Sequence, residues 1–108
     1  MPNVTFFIAA SEMPSDASLS DLTDRCAGLC TGVLKAAPEN VHIIAVPVRP
    51  GRGHPVFASV SYRLMASRTP DVMEHFMTEL DAAIREATGV TARIRCFGYA
   101  ASQIHARN

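Results

Sequence analysis

Residues 56–100 read VFASVSYRLMASRTPDVMEHFMTELDAAIREATGVTARIRCFGYA, a stretch whose pattern changes period twice. Over 56–65, Val60, Tyr62 and Leu64 alternate with Ser59, Ser61 and Arg63, the two-residue period of a strand. Thr69 then precedes Pro70. A threonine side chain caps the first N–H groups of a helix, and proline at the first helical position gives up only an N–H that would have no partner. Val72, Met73, Phe76, Met77, Leu80, Ala83, Ile84 and Ala87 follow at spacings of three and four, one apolar stripe of a helix. Gly89 stands where the chain must turn out of that helix. The run 90–100 predicts a second strand.

The same order is legible upstream. In residues 3–10, Val4, Phe6 and Ile8 alternate with Asn3, Thr5 and Phe7. A polar loop follows, and Ser18 with Asp21 three residues on suggests a capped helix start. Leu19, Leu22, Cys26, Leu29, Cys30 and Val33 trace one stripe of a helix of about 18 residues. APEN at 37–40 ends it, because proline cannot continue a helix. VHIIAVPV at 41–48 predicts a strand fading at Pro47, and 49–55 a loop. The expectation is one domain over 1–108, built from two consecutive β-α-β units at about 2–50 and 55–100. The fold class is α/β (α+β): a four-stranded sheet with two helices on one face. Parallel crossovers are right-handed, and a sheet covered on one side needs a partner for the other. That points to an oligomer.

Composition narrows the function classes. Ten Lys and Arg balance ten Asp and Glu, so no net basic charge marks a nucleic-acid binder. No apolar run approaches the roughly 20 residues of a membrane helix, and no basic segment opens the chain as in a signal peptide. A cytoplasmic protein with no membrane partner is the expectation. Cys26 and Cys30 sit one helical turn apart and Cys96 far downstream. Neither the cysteines nor the four scattered histidines match a metal-site spacing, so no metal is expected, and the cysteines read as reduced thiols packed in the core.

Length, two β-α-β units and a proline directly after Met1 together resemble the tautomerase superfamily. Gly53-His54-Pro55 leading into a strand with Arg63 near its end, and Arg68 a few residues on, is similar to the carboxymethyl-hydroxymuconate isomerase branch. APENVHIIAV is similar to the second-strand entry of the superfamily, and AASQI to the tail of the macrophage migration inhibitory factor branch. The resemblance implies the tautomerase fold, a homotrimer, no cofactor, and a small-molecule carboxylic acid substrate. It implies removal of Met1 and catalysis by Pro2 as general base and acid on an unsaturated 2-oxo or 2-hydroxy acid. The substrate most in keeping with it is that of 5-carboxymethyl-2-hydroxymuconate isomerase. A phenylpyruvate-type keto–enol tautomerase and a non-catalytic trimeric interaction module are the alternatives.

The chemistry asks for these residue types. Tautomerisation needs a base of near-neutral pKa and positive charge where enolate character develops. A free α-amine titrates near 8, and desolvation plus a nearby cation lowers it. Arg63 is the candidate for gripping a carboxylate with two hydrogen bonds. His42, Lys35, Arg95 and Phe97 are further candidates for substrate binding. Each has a structural alternative: Pro2 as a stiff strand start, Arg63 as a solvated strand residue, His42 as a structural histidine, Lys35 as a complement to a helix dipole, and Arg93 and Arg95 as intersubunit ion-pair partners.

Overall fold

The computed structural model describes residues 2–108. Its strands are β1 (Asn3–Ala9), β2 (His42–Val48), β3 (Val56–Arg63) and β4 (Ala92–Tyr99); its helices are α1 (Asp16–Gly32) and α2 (Pro70–Thr88). They follow one another as two β-α-β units. The sheet order is β2-β1-β3-β4. Within each unit the strands run parallel, and the units join through the antiparallel β1–β3 pair.

The predicted landmarks of α2 are all present. The Thr69 hydroxyl accepts from the Val72 N–H at 3.2 Å, Pro70 opens the helix, and Gly89 closes it at φ 76°, a left-handed conformation that costs a side chain energy but glycine none. Helix α1 differs from expectation at its start. Ser15, not Ser18, is the cap: its Oγ accepts from the Ser18 N–H at 3.2 Å. The first turn, Asp16 to Ser18, buries no side chain, so the apolar stripe begins a turn later than the helix. Ser15→Ala should therefore cost about 1 kcal/mol in urea unfolding, and Ser18→Ala well under that; the reverse order would return the cap to Ser18. Strand β2 also runs past Pro47 to Val48. As an edge strand it has a ladder on one side only, where a missing N–H is tolerated.

Both helices lie on one face of the sheet. Val4, Phe6 and Ile8 of β1 and Val56, Ala58 and Val60 of β3 are buried against Leu22, Cys26 and Cys30 of α1 and Phe76, Leu80 and Ile84 of α2. The cysteines are free, and Cys26 and Cys30 are buried as expected. The contact with Cys30 and burial raise the Cys26 thiol, the same contact lowers Cys30 against its burial, and burial raises Cys96 to about 11.

The other face is uncovered. Strand alternation and register place Asn3, Thr5 and Phe7 there beside Ser61, Ser59 and Phe57, with Arg95 and Phe97 next on β4 and His42 and Ile44 on β2. Phe97 is 46% exposed, Tyr99 44% and Ile44 51%. The four strands carry no acidic residue. Off the helices the only acids are Glu12 and Glu39, while Arg25 and Arg85 are the only Lys or Arg on them. A chain neutral in sum is thus acidic on its helical side and basic on its open side.

Candidate active site

Pro2 sits at the entry to β1, buried, with its carbonyl accepting from the His42 N–H at 3.0 Å. Because β1 lies between β2 and β3, Pro2 is flanked by the loop that enters β2 and the turn that leaves β3. These two segments form the walls of a cavity of about 300 Å³ lined by Lys35, Ala36, Ala37, Asn40, Arg63, Met65 and Arg68. Three cations and no carboxylate face it.

The Lys35 wall is built by the way α1 ends. The Val33 N–H donates to the Leu29 carbonyl and the Ala36 N–H to the Cys30 carbonyl, at 2.9 and 3.0 Å. Between them Lys35 takes φ 57°, the left-handed position usually given to glycine at a helix end. A residue with a Cβ pays about 1 kcal/mol there. Lys35→Gly should raise stability by about that amount and weaken binding of an anionic ligand in the same protein. Urea melts beside ligand titration read both, and unchanged binding would return Lys35 to a purely structural place.

Arg68 joins the two walls. It is only 6% exposed. Its Nε donates to the Leu34 carbonyl at 3.0 Å and its Nη1 to the Arg63 carbonyl at 2.7 Å. The side-chain ion pairs among the described residues are Arg25–Glu86 and Arg85–Asp81, both on the helices, so this buried guanidinium has no counter-charge. Burial pushes its pKa down, and Cys30 and Tyr62 act in the opposite direction. An arginine nevertheless remains charged. No buried side-chain nitrogen or oxygen among the described residues lacks a hydrogen bond, so the Nη2 donors of Arg68, which have no partner among those residues, reach the cavity or solvent.

The candidates from sequence divide. Lys35 and Arg63 meet at this cavity; Pro2 lies between the two segments that wall it but is not itself in its lining. His42 pairs with Asn3 on the open face, outside the cavity lining. Arg95 and Phe97 lie on β4, separated from β1 by β3, and also face the open side. A second cavity of about 260 Å³ opens on that side at the same end of the sheet, lined by Asn3, Ser61, Tyr62, Tyr99, Gln103, Ile104 and His105. Arg68 is the residue whose place the sequence did not announce. The groove between the helices, lined by Asp21, Asp24, Arg25 and Glu86 among others, is acidic and lies across the sheet from the open face.

No protein-family model and no curated protein sequence matches the chain. Solved structures do. A fused 4-OT wild-type symmetric trimer superposes with a TM-score of 0.77 at 15% identity, over 97% of this chain and 91% of that one. Macrophage migration inhibitory factor of Toxoplasma gondii gives 0.77 at 12% identity over 98% and 96%. Malonate semialdehyde decarboxylase gives 0.72 at 14% identity over 98% and 91%. The chain therefore has the tautomerase-superfamily fold.

Proposed function

We propose that this protein is a cofactor-free tautomerase in which Met1 is removed and the secondary amine of Pro2 moves a proton on a small conjugated 2-oxo or 2-hydroxy acid. The observation that carries this reading is the cationic cavity formed by Lys35, Arg63 and Arg68 between the two segments that flank the entry to β1. In the reaction Pro2, uncharged, takes a proton from the enol oxygen or an acidic carbon of the substrate. The resulting prolinium returns it to the terminal carbon of the conjugated system. Negative charge accumulates on the dienolate between the two steps, and fixed guanidinium and ammonium groups stabilise it without reorganising. Arg63 and the free donors of Arg68 hold the carboxylate, with the two-bond geometry that suits a guanidinium. The same cations disfavour protonation of the amine and keep it available as a base.

A homotrimer accompanies this reading. Ile44, Phe97 and Tyr99 are exposed together on the uncovered face, and the fused 4-OT neighbours are trimers by name. In such an assembly His42, Arg95 and Phe97 would reach substrate across a subunit boundary. The carboxymethyl-hydroxymuconate type of substrate, with more than one carboxylate, suits three convergent cations.

The test combines intact mass with turnover. Loss of one methionine and isomerisation of a 2-hydroxydienoate, with the product identified by NMR, are expected. A protein that keeps Met1 entirely, or that leaves a panel of 2-hydroxydienoates and enol-phenylpyruvate unchanged, would reject the enzyme reading in favour of an interaction module.

A further inference from the structure

The opposite end of the sheet holds a second cluster of basic side chains that this chemistry does not use. The loop from β2 to β3 turns at Gly53, φ 102°, a conformation that favours glycine. It brings Arg52 and His54 to a cavity of about 310 Å³ shared with Phe57 and Arg93. Arg93 is opposite Phe57 in the register, and its guanidinium stands 5.9 Å from the centre of the Phe57 ring. Phe57 is held in turn by stacking on Phe7, centroids 5.9 Å apart. Phe7 lies five residues beyond Pro2 on β1, about 17 Å at the usual strand rise, so the two clusters do not share a ligand.

No described residue neutralises this cluster. The strands carry no acid, and among the described residues Arg52, His54 and Arg93 make no ion pair. The Phe57 ring stands at the outer reach of a cation–π contact with Arg93, whose N–H groups remain as donors. What remains is a set of donors from three side chains around one space. A carboxylate offers two oxygens to such a set. A phosphoryl group offers three acceptors and up to two charges.

We propose that Arg52, His54 and Arg93 form a second anion site, distinct from the Pro2 cavity, that binds a phosphoryl group, either free phosphate or the head of a phosphate monoester. Calorimetric titration of the assembled protein with inorganic phosphate at constant ionic strength tests it, with glycerol phosphate as the second arm. Saturable binding is expected in the wild type and in Arg63→Ala. Arg93→Ala and Arg52→Ala should each weaken it by about tenfold or more, the cost of one charge-assisted contact. Tighter binding of glycerol phosphate identifies the monoester as the ligand, and tighter binding of phosphate identifies the free ion. Absence of saturable binding at millimolar concentration overturns the proposal. So does binding that survives Arg93→Ala and Arg52→Ala but is lost in Arg63→Ala, because the anion would then belong to the Pro2 cavity.

Discussion

Blocking the amine of Pro2 should abolish turnover. A form that retains Met1 carries an amide at that nitrogen, with no lone pair for a proton, and the loss expected for removing a general base is about 10²–10⁴-fold. Pro2→Ala leaves a primary amine in the same place. It is more mobile and its lone pair is less well aimed, so the fall should be smaller, about a hundredfold at most. The rate should rise with pH through the pKa of the Pro2 amine, because only the neutral form accepts a proton, and that limb should vanish in the Met1-retained form. Pro2 is buried at a strand entry and its carbonyl holds the His42 N–H, so folding must be followed alongside. Circular dichroism and urea midpoints that stay put while activity disappears assign the loss to chemistry. Wild-type turnover by the Met1-retained form would reduce Pro2 to the first residue of a strand.

The charge distribution adds a condition on the assembly. A sheet face bearing His42, Arg63, Arg93 and Arg95 but no acid repels a copy of itself laid flat against it. The intersubunit ion pairs considered for Arg93 and Arg95 therefore need acids from the helices or from Glu12 or Glu39. Otherwise the arginines face water or a bound anion. Apolar contact through Ile44, Phe97 and Tyr99 would have to supply the attraction. Assembly should then tighten as salt rises, since screening weakens the repulsion and leaves the apolar term. Sedimentation equilibrium at low and high salt reads this directly, and dissociation on adding salt would place ion pairs at the interface after all.

Much of this architecture was legible because its signals are periodic. Alternation in β1 and β3 sorts Val4, Phe6, Val56 and Val60 to the core face and Thr5, Ser59 and Ser61 to the open one. Thr69, Pro70 and Gly89 mark both ends of α2 without competition. The start of α1 was harder: Ser11, Ser15, Ser18 and Ser20 all have capping side chains, and the first turn buries no side chain to choose among them. The cavity is harder still. Lys35 and Arg63 are 28 positions apart, and they meet through a left-handed lysine and a buried arginine. Neither has a period. A loop arginine reads as solvated by default, so the burial of Arg68 shows only when both carbonyls are in place. His42, Arg95 and Phe97 were candidates by their chemistry and strand position, and alternation takes them to the open face of their own chain.

Arg68→Ala should produce the largest loss of stability among the cavity variants. It removes the donor from the Leu34 and Arg63 carbonyls, each a bond to a charged group, and leaves space where a long side chain was packed. Those terms together amount to about 3 kcal/mol. The penalty already paid for burying an unpaired charge offsets part of the loss, so a larger figure is not expected. Arg68→Lys tests the clasp itself. A single ammonium on a flexible stem cannot span two carbonyls in one plane, and about half of the loss should remain. Urea unfolding at fixed protein concentration measures both, since an oligomer's midpoint depends on concentration. Binding separates the clasp from simple support of the fold. If Arg68 holds Lys35 and Arg63 at one cavity, Arg68→Lys should weaken an anionic ligand even where the protein is fully folded, although the charge is conserved. A lysine variant that melts early but binds normally would confine Arg68 to the fold. An alanine variant with the wild-type midpoint would remove the clasp altogether.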